Sequence, residues 1–301
     1  MTPGTPAGPG RRPPRRDRPA AETLLDRRRL LGRAAAATLG AVGAGLLAAG
    51  PGRAALPAVD MEALIKAAQI DPRRADTAIT AGSRDSVLLV ERALRDRGLL
   101  GATYVDGHFG TSTVAAYAAH QRSLGYAGLD ATGLPGLTSL RALGDQRFTV
   151  VRPLTPGGVL DFRGARVNSR TRAMLLEAER LLGRQLAISQ GSYSTSDPTS
   201  AGTHDGGGAL DLAVDGMSGT YRTTVVRHLR RVGFAAWLRT PAQGDWPYHI
   251  HAVALADTDQ SAPAQHQAGD YYLGLNGLAN RGPDDGPVVS PVLTWEEYQR
   301  S

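Results

Sequence analysis

His204-Asp-Gly206-Gly207-Gly208-Ala209-Leu210-Asp211-Leu212-Ala213-Val214 decides how the second half of this chain folds. From Ala209 onward the residues alternate, with Leu210, Leu212 and Val214 on one side and Ala209, Asp211 and Ala213 on the other. That period of two predicts a strand with one greasy face and one face carrying a carboxylate between small neighbours. An aspartate in an otherwise apolar strand is costly to bury unless it is paired or bound to a metal. The glycines before it offer backbone angles closed to other residues, so the chain can fold back and bring His204 toward Asp211.

Downstream, Trp246-Pro-Tyr248-His249-Ile-His251 opens a second strand over 248–255. Residues two apart on a strand share a face, so His249 and His251 point into one cleft. His204, Asp211, His249 and His251 together can supply what a hydrolytic zinc asks of a protein: three nitrogen or oxygen ligands and an open fourth position. His108, His120, His228 and His266 stand outside any such pattern and read as surface or core residues.

The spacing His204-x-x-Gly207-x-Ala209-x-Asp211, followed by the His249-x-His251 pair, resembles the zinc D-Ala-D-Ala carboxypeptidases and dipeptidases. These share a wider group with lysostaphin-type endopeptidases and the hedgehog signalling domain. The likeness covers about 157–255. It implies His204, Asp211 and His251 as zinc ligands and His249 as the histidine that assists the reaction. Tyr248 stands where many carboxypeptidases of the group carry a catalytic glutamate. Gln190-Gly-Ser-Tyr193-Ser replaces their Gly-Tyr-Arg-like segment, which makes Gln190 and Tyr193 the candidate substrate contacts.

The expected chemistry follows from the ion. Zinc lowers the pKa of its water to ~7 and polarises a scissile carbonyl. A second group takes the water's proton and delivers it to the leaving amine. His249 is the first candidate for that role or for holding the oxyanion. Asp245, in the loop before Trp246, is the other candidate base, or a partner that orients a histidine ring.

At the amino end, Asp26-Arg27-Arg28-Arg29-Leu30-Leu31 precedes an uncharged run over 34–49 and then Gly52-Arg53-Ala54-Ala55. Positive charge, a modest apolar run and small residues describe a secretory leader over 1–55. The run falls short of the about 20 apolar residues of a permanent span. Paired arginines before Leu-Leu resemble a twin-arginine signal, which implies the twin-arginine export machinery as a partner and a secreted, cell-wall location. Ten arginines against three acids give residues 1–55 a net +7, so with +6 overall the remainder carries about −1. The basic character belongs to the leader, and nucleic-acid binding, which needs a basic folded surface, is not expected. With no cysteine there is neither a disulfide nor a thiolate metal site.

Residues 56–82 read as a link that contains a short amphipathic stretch over 61–68. Ser83 then predicts the cap of a helix to residue 97, with Val87, Val90 and Leu94 as its apolar stripe and Gly98 as its stop. A turn at Asp106-Gly107-His-Phe109-Gly110 leads into a second helix through Gln121, and a third follows Gly136 and ends near Leu143. Val87-x-x-Val90-Glu91-x-x-Leu94, Asp106-Gly-x-Phe109-Gly-x-x-Thr113 and Gln121 resemble the three-helix peptidoglycan-binding domain, except that Glu91 replaces its usual glutamine. This domain spans 83–145. It implies peptidoglycan as a partner and tethers the following domain to that polymer, raising local substrate concentration.

In the domain over 150–301, Asn168 or Ser169 predicts the cap of a helix to Leu182 closed by Gly183. Strands over 186–189, 209–214, 234–239 and 248–255, with a helix over 221–232, predict an antiparallel sheet flanked by helices. Short strands without regular βαβ alternation place the chain in the α+β class. The expectation is an exported zinc peptidase acting on the peptide part of peptidoglycan, foremost at D-Ala-D-Ala ends. Its alternatives are an endopeptidase cutting another stem or crossbridge bond and a non-catalytic, zinc-stabilised wall-binding protein. The polar segment after Ala256 suggests no function.

Overall fold

The computed structural model describes residues 55–195 and 200–301, and the leader read over 1–55 lies outside them but for its last residue. β1 (Ala58–Asp60) ends in Asp60, whose carboxylate accepts from the N–H groups of Glu62 and Ala63 and caps α1 (Met61–Ile70). The stretch 56–82 is therefore not the polar link expected. Met61, Leu64, Ile65 and Ala68 are buried in the first hydrophobic cluster, because their spacing gives α1 an apolar face wider than a linker needs.

α2 (Arg84–Asp96), α3 (Thr111–Ser123) and α4 (Leu137–Leu143) follow where the periodicity put them. Val87, Val90 and Leu94 pack with Phe109, Tyr117, Leu140 and Leu143 around α1. Ser83 holds the N-cap position of α2, yet its hydroxyl donates to the Thr80 carbonyl at 2.8 Å and makes no cap bond. β2 (Thr149–Val151) runs parallel to β1, with Ala58 opposite Thr149, and ties the end of this helical part to its beginning.

β3 (Val159–Phe162) and β4 (Ala165–Asn168) form a hairpin. Asn168 then caps α5 (Ser169–Leu182) by accepting from the Thr171 N–H at 2.8 Å, and Gly183 closes it in the left-handed region at φ 66°. β5 (Ile188–Gln190), β6 (Ala209–Ala213), β7 (Phe234–Arg239) and β8 (His249–Ala254) make a four-stranded antiparallel sheet in the order β5-β6-β8-β7. Between β6 and β7 lies α6 (Gly219–Arg231). Leu210, Leu212, Phe234, Ala236, Ile250 and Ala252 turn to one face and pack on α5 and α6 through Met174, Leu175, Val226 and Leu229. The architecture is mixed α+β, with two small antiparallel sheets beside the parallel β1-β2 pair, and the α+β class is the one the strand and helix pattern predicts.

The polar segment after Ala256 covers the opposite face. α7 (Ala262–Tyr272) buries Ala264, Ala268 and Tyr271 against Ala235, Trp237 and Val253, and α8 (Trp295–Gln299) follows it. The Gln69 amide joins the two parts, donating to Gln260 at 2.7 Å and accepting from the Ala256 N–H at 3.2 Å. A Cβ on Gly269 would stand 2.0 Å from the Gln69 carbonyl, so the approach of α7 to α1 requires glycine. The described residues fall in one compact unit.

Candidate metal centre

The sheet register assembles the centre. Asp211 lies opposite His251, which lies opposite Trp237, while Ala213, His249 and Arg239 form the next row. Directly opposed residues share a face, so Asp211, His249 and His251 leave the sheet on the side that α7 covers.

His204 arrives from the loop before β6. Its carbonyl accepts from the Ser194 N–H at 2.9 Å, and Gly206 accepts from the Tyr193 N–H at 2.9 Å. The three glycines serve this path in two different ways. Only Gly208 uses a positive φ, 83°. Gly206 and Gly207 are needed for close approach: an added Cβ would lie 2.3 Å from the Asp259 carbonyl at 206 and 2.7 Å from the Tyr193 hydroxyl at 207.

Three potential ligand atoms, from His204, Asp211 and His251, lie within 4.8 Å of one another, and this is the one such group among the described residues. Nδ1 of His204 is 2.9 Å from the Gly191 carbonyl, which fixes its proton there and turns Nε2 toward Oδ1 of Asp211 at 3.3 Å. Nε2 of His251 is 2.7 Å from Oε1 of Gln267, whose own amide nitrogen donates to the Gly277 carbonyl at 3.1 Å. That second bond orients the amide so that its oxygen accepts from the imidazole, leaving Nδ1 of His251 toward Asp211 Oδ1 at 2.7 Å. Both rings thus spend their N–H outward and turn lone pairs onto one carboxylate oxygen. Acceptors gathered in this way fit a cation, with the outer carbonyls fixing each ring as they do at metal sites. The His204–Asp211 distance of 3.3 Å matches the edge of a tetrahedron with arms of about 2.0 Å, while the His251–Asp211 distance of 2.7 Å is that of a hydrogen bond and must lengthen when an ion is held between the two.

The electrostatics agree. Burial acts to raise the Asp211 carboxyl, but the His204 and His251 rings, when they also carry a proton toward it, outweigh burial through hydrogen bonds and charge and hold the group well below the usual carboxylate range. Burial also pushes the His251 imidazole down, favouring the neutral ring that binds metals. Trp237 stacks on His251 at 6.5 Å with 14° between planes and walls the centre on the β7 side.

His249 stands at the edge of this group. Its Nδ1 is 2.9 Å from the Pro247 carbonyl, and its Nε2 reaches within 3.8 Å of Asp211 Oδ1. At 15 % side-chain exposure it is open enough to meet a ligand, whereas His204 and His251 are buried. Asp245 is not brought in: it is exposed in the loop and makes no hydrogen bond or ion pair with the centre. Tyr248 turns outward, where the Arg222 guanidinium lies 5.1 Å from its ring. Gln190 pairs with Asp211 across β5 and β6 and reaches the same face. The Tyr193 hydroxyl is committed to Asp259 at 2.9 Å, so this residue braces the His204 loop. His108, His120, His228 and His266 all lie away from the centre, each on other partners or packed elsewhere.

Two residues went unseen in the sequence. Gln267 sits in the segment that suggested no function, and nothing in its local pattern marks it. Arg239 extends from the end of β7 beside His249, is 3 % exposed, and uses Nη1 to donate to the Asn276 carbonyl at 2.9 Å. Burial lowers its guanidinium to about 10, against the opposing charges of Asp285, Asp211 and Asp284, so it remains a cation at neutral pH. The alternation of β7 could have flagged it, since Arg239 shares the Trp237 face.

Comparison of the chain with family models, with curated proteins and with solved structures finds no match. Among the described residues no helix is long and apolar enough to cross a membrane.

Proposed function

We propose that this protein is an exported zinc peptidase that acts on the peptide part of bacterial peptidoglycan, at D-Ala-D-Ala ends. The observation that carries the metal half of this reading is the convergence of His204 Nε2, His251 Nδ1 and Asp211 Oδ1, with Gly191 and Gln267 fixing the two rings from behind. Two histidines and one carboxylate, without sulfur, are a donor set suited to catalytic zinc. Bound zinc supplies Lewis acidity, polarising a peptide carbonyl and making water acidic enough to attack at neutral pH.

His249 performs the proton work in this reading. Its Nδ1–H is held by the Pro247 carbonyl, which leaves Nε2 as the basic nitrogen facing the centre. There it takes a proton from the attacking water and returns it to the departing amine. Trp237 and α7 close the far side and keep bulk water from the reacting carbonyl. Peptidoglycan as substrate rests on the paired sequence resemblances of 83–145 and 157–255, and export by the twin-arginine route rests on the leader motif.

A zinc titration of the chelator-treated protein tests this reading. One zinc per chain, with hydrolysis of D-Ala-D-Ala peptides restored in step, is the expected result. Stoichiometric zinc without restored hydrolysis would leave a zinc-stabilised binding protein instead.

A further inference from the structure

Eight buried side-chain polar atoms among the described residues lack a hydrogen-bond partner, and four of them belong to residues that neighbour Asp211, His249 or His251. Gln190 Nε2 belongs to the residue paired with Asp211, Trp237 Nε1 to the one paired with His251 and Arg239 Nη2 to the one paired with His249. Trp246 Nε1 belongs to a ring 6.3 Å from that of His249. All four are N–H donors. A buried donor left unsatisfied costs roughly 1–3 kcal/mol, so their concentration at one place needs a reason. Donors gathered around a site call for a ligand rich in acceptors.

Arg239 adds a charge to that demand. It carries a buried cation, and the three carboxylates whose charge acts on it form no ion pair with it: Asp284 is taken by Arg230 at 2.8 Å, Asp285 accepts from Gln243 at 2.8 Å, and Asp211 faces His204 and His251. One of its terminal nitrogens is spent on Asn276 and the other has no hydrogen-bond partner, while the guanidinium as a whole lies 4.8 Å from the Trp237 ring. The planar fork of arginine is suited to a carboxylate. Its neighbour in the register is His249, the open edge of the centre, so an anion held by Arg239 sits beside the bond that His249 attends.

We infer that Arg239 receives the free C-terminal carboxylate of the substrate, which restricts this centre to chain ends and excludes internal bonds. This deepens, and rests on, the peptidase reading above. The orphan N–H groups of Gln190 and the two tryptophans serve the acceptors of the same terminal residues. Nη2 is closed to bulk solvent, where a charge-assisted hydrogen bond is strongest.

The test is an NMR titration of the full chain, metal-free so that nothing is turned over, with D-alanyl-D-alanine and with its C-terminal amide. The acid should bind about ten- to a hundredfold more tightly than the amide, the range of one charge-assisted contact. Arg239→Gln should erase that ratio and Arg239→Lys should keep part of it. Equal affinities, no binding of either probe, or an acid preference that survives Arg239→Gln would overturn the assignment. The wild-type ratio and Arg239→Lys decide the matter if Arg239→Gln does not fold. Hydrolysis by the zinc-loaded protein separates the two readings: cleavage without acid preference removes only this one, and acid preference without cleavage removes only the peptidase.

Discussion

Gln267 Oε1 lies 2.7 Å from Nε2 of His251, joining the middle of α7 to a ligand on β8. The contact fixes which nitrogen of His251 faces Asp211, and a hydrophobic residue in its place would release that choice. Gln267→Leu should weaken zinc binding about tenfold to a hundredfold. A competition titration against a chromophoric chelator reads this directly, and an unchanged affinity would remove Gln267 from the centre.

His249 and the ligands should separate cleanly under substitution. His249→Ala should retain one zinc while hydrolysis falls about 10²- to 10⁴-fold, the range for removing a general base. Asp211→Ala should lose the metal as well. Zinc content by elemental analysis beside turnover distinguishes the cases, and full activity in His249→Ala would contradict its role.

Gly207→Ala places a methyl 2.7 Å from the Tyr193 hydroxyl and 2.8 Å from the Asn168 amide. Both are braced, Tyr193 by Asp259 and Asn168 by Asp257, so neither can retreat without losing a buried bond. The expected cost is about 1–3 kcal/mol in denaturant unfolding, accompanied by weaker zinc binding as His204 shifts. Wild-type stability in this variant would mean the loop yields freely.

Glu91 provides a test in the helical part. Its carboxylate is buried and accepts from the Asp106 and Gly107 N–H groups and the Thr113 hydroxyl. Burial, outweighing those bonds, raises it from 4.5 to about 7. The folded chain therefore holds this proton more tightly than the unfolded chain, so the group's stabilisation is full below pH 4.5 and is lost as pH rises through about 7. Glutamine keeps the acceptor and carries no charge. Glu91→Gln should thus gain about 1–3 kcal/mol over the parent at pH 8, with the gain shrinking toward pH 5. A difference between the two that does not change with pH would contradict this account of Glu91.

The sequence made the centre legible because its signals are local. The alternation around Asp211, the His249-x-His251 pair and the caps at Asn168 and Gly183 each depend on a few neighbouring residues, and the structure brings His204, Asp211 and His251 together as that pattern predicts. The errors fall where distant segments meet. Residues 56–82 read as a link because the partners that bury Met61 and Leu64 lie elsewhere in the chain. Gln267 and Arg239 escaped notice because their importance comes from strand register and from a helix laid over the sheet, neither of which a short motif encodes. Tyr193 shows the opposite case: its position beside the site suggested substrate, but its hydroxyl reaches Asp259.

The most direct measurement is mass spectrometry of muropeptides bearing intact D-Ala-D-Ala ends after incubation with the zinc-loaded protein. The account predicts loss of a single terminal alanine, abolished by chelator and by His249→Ala. An unaltered muropeptide, with one zinc shown to be bound per chain, would contradict it.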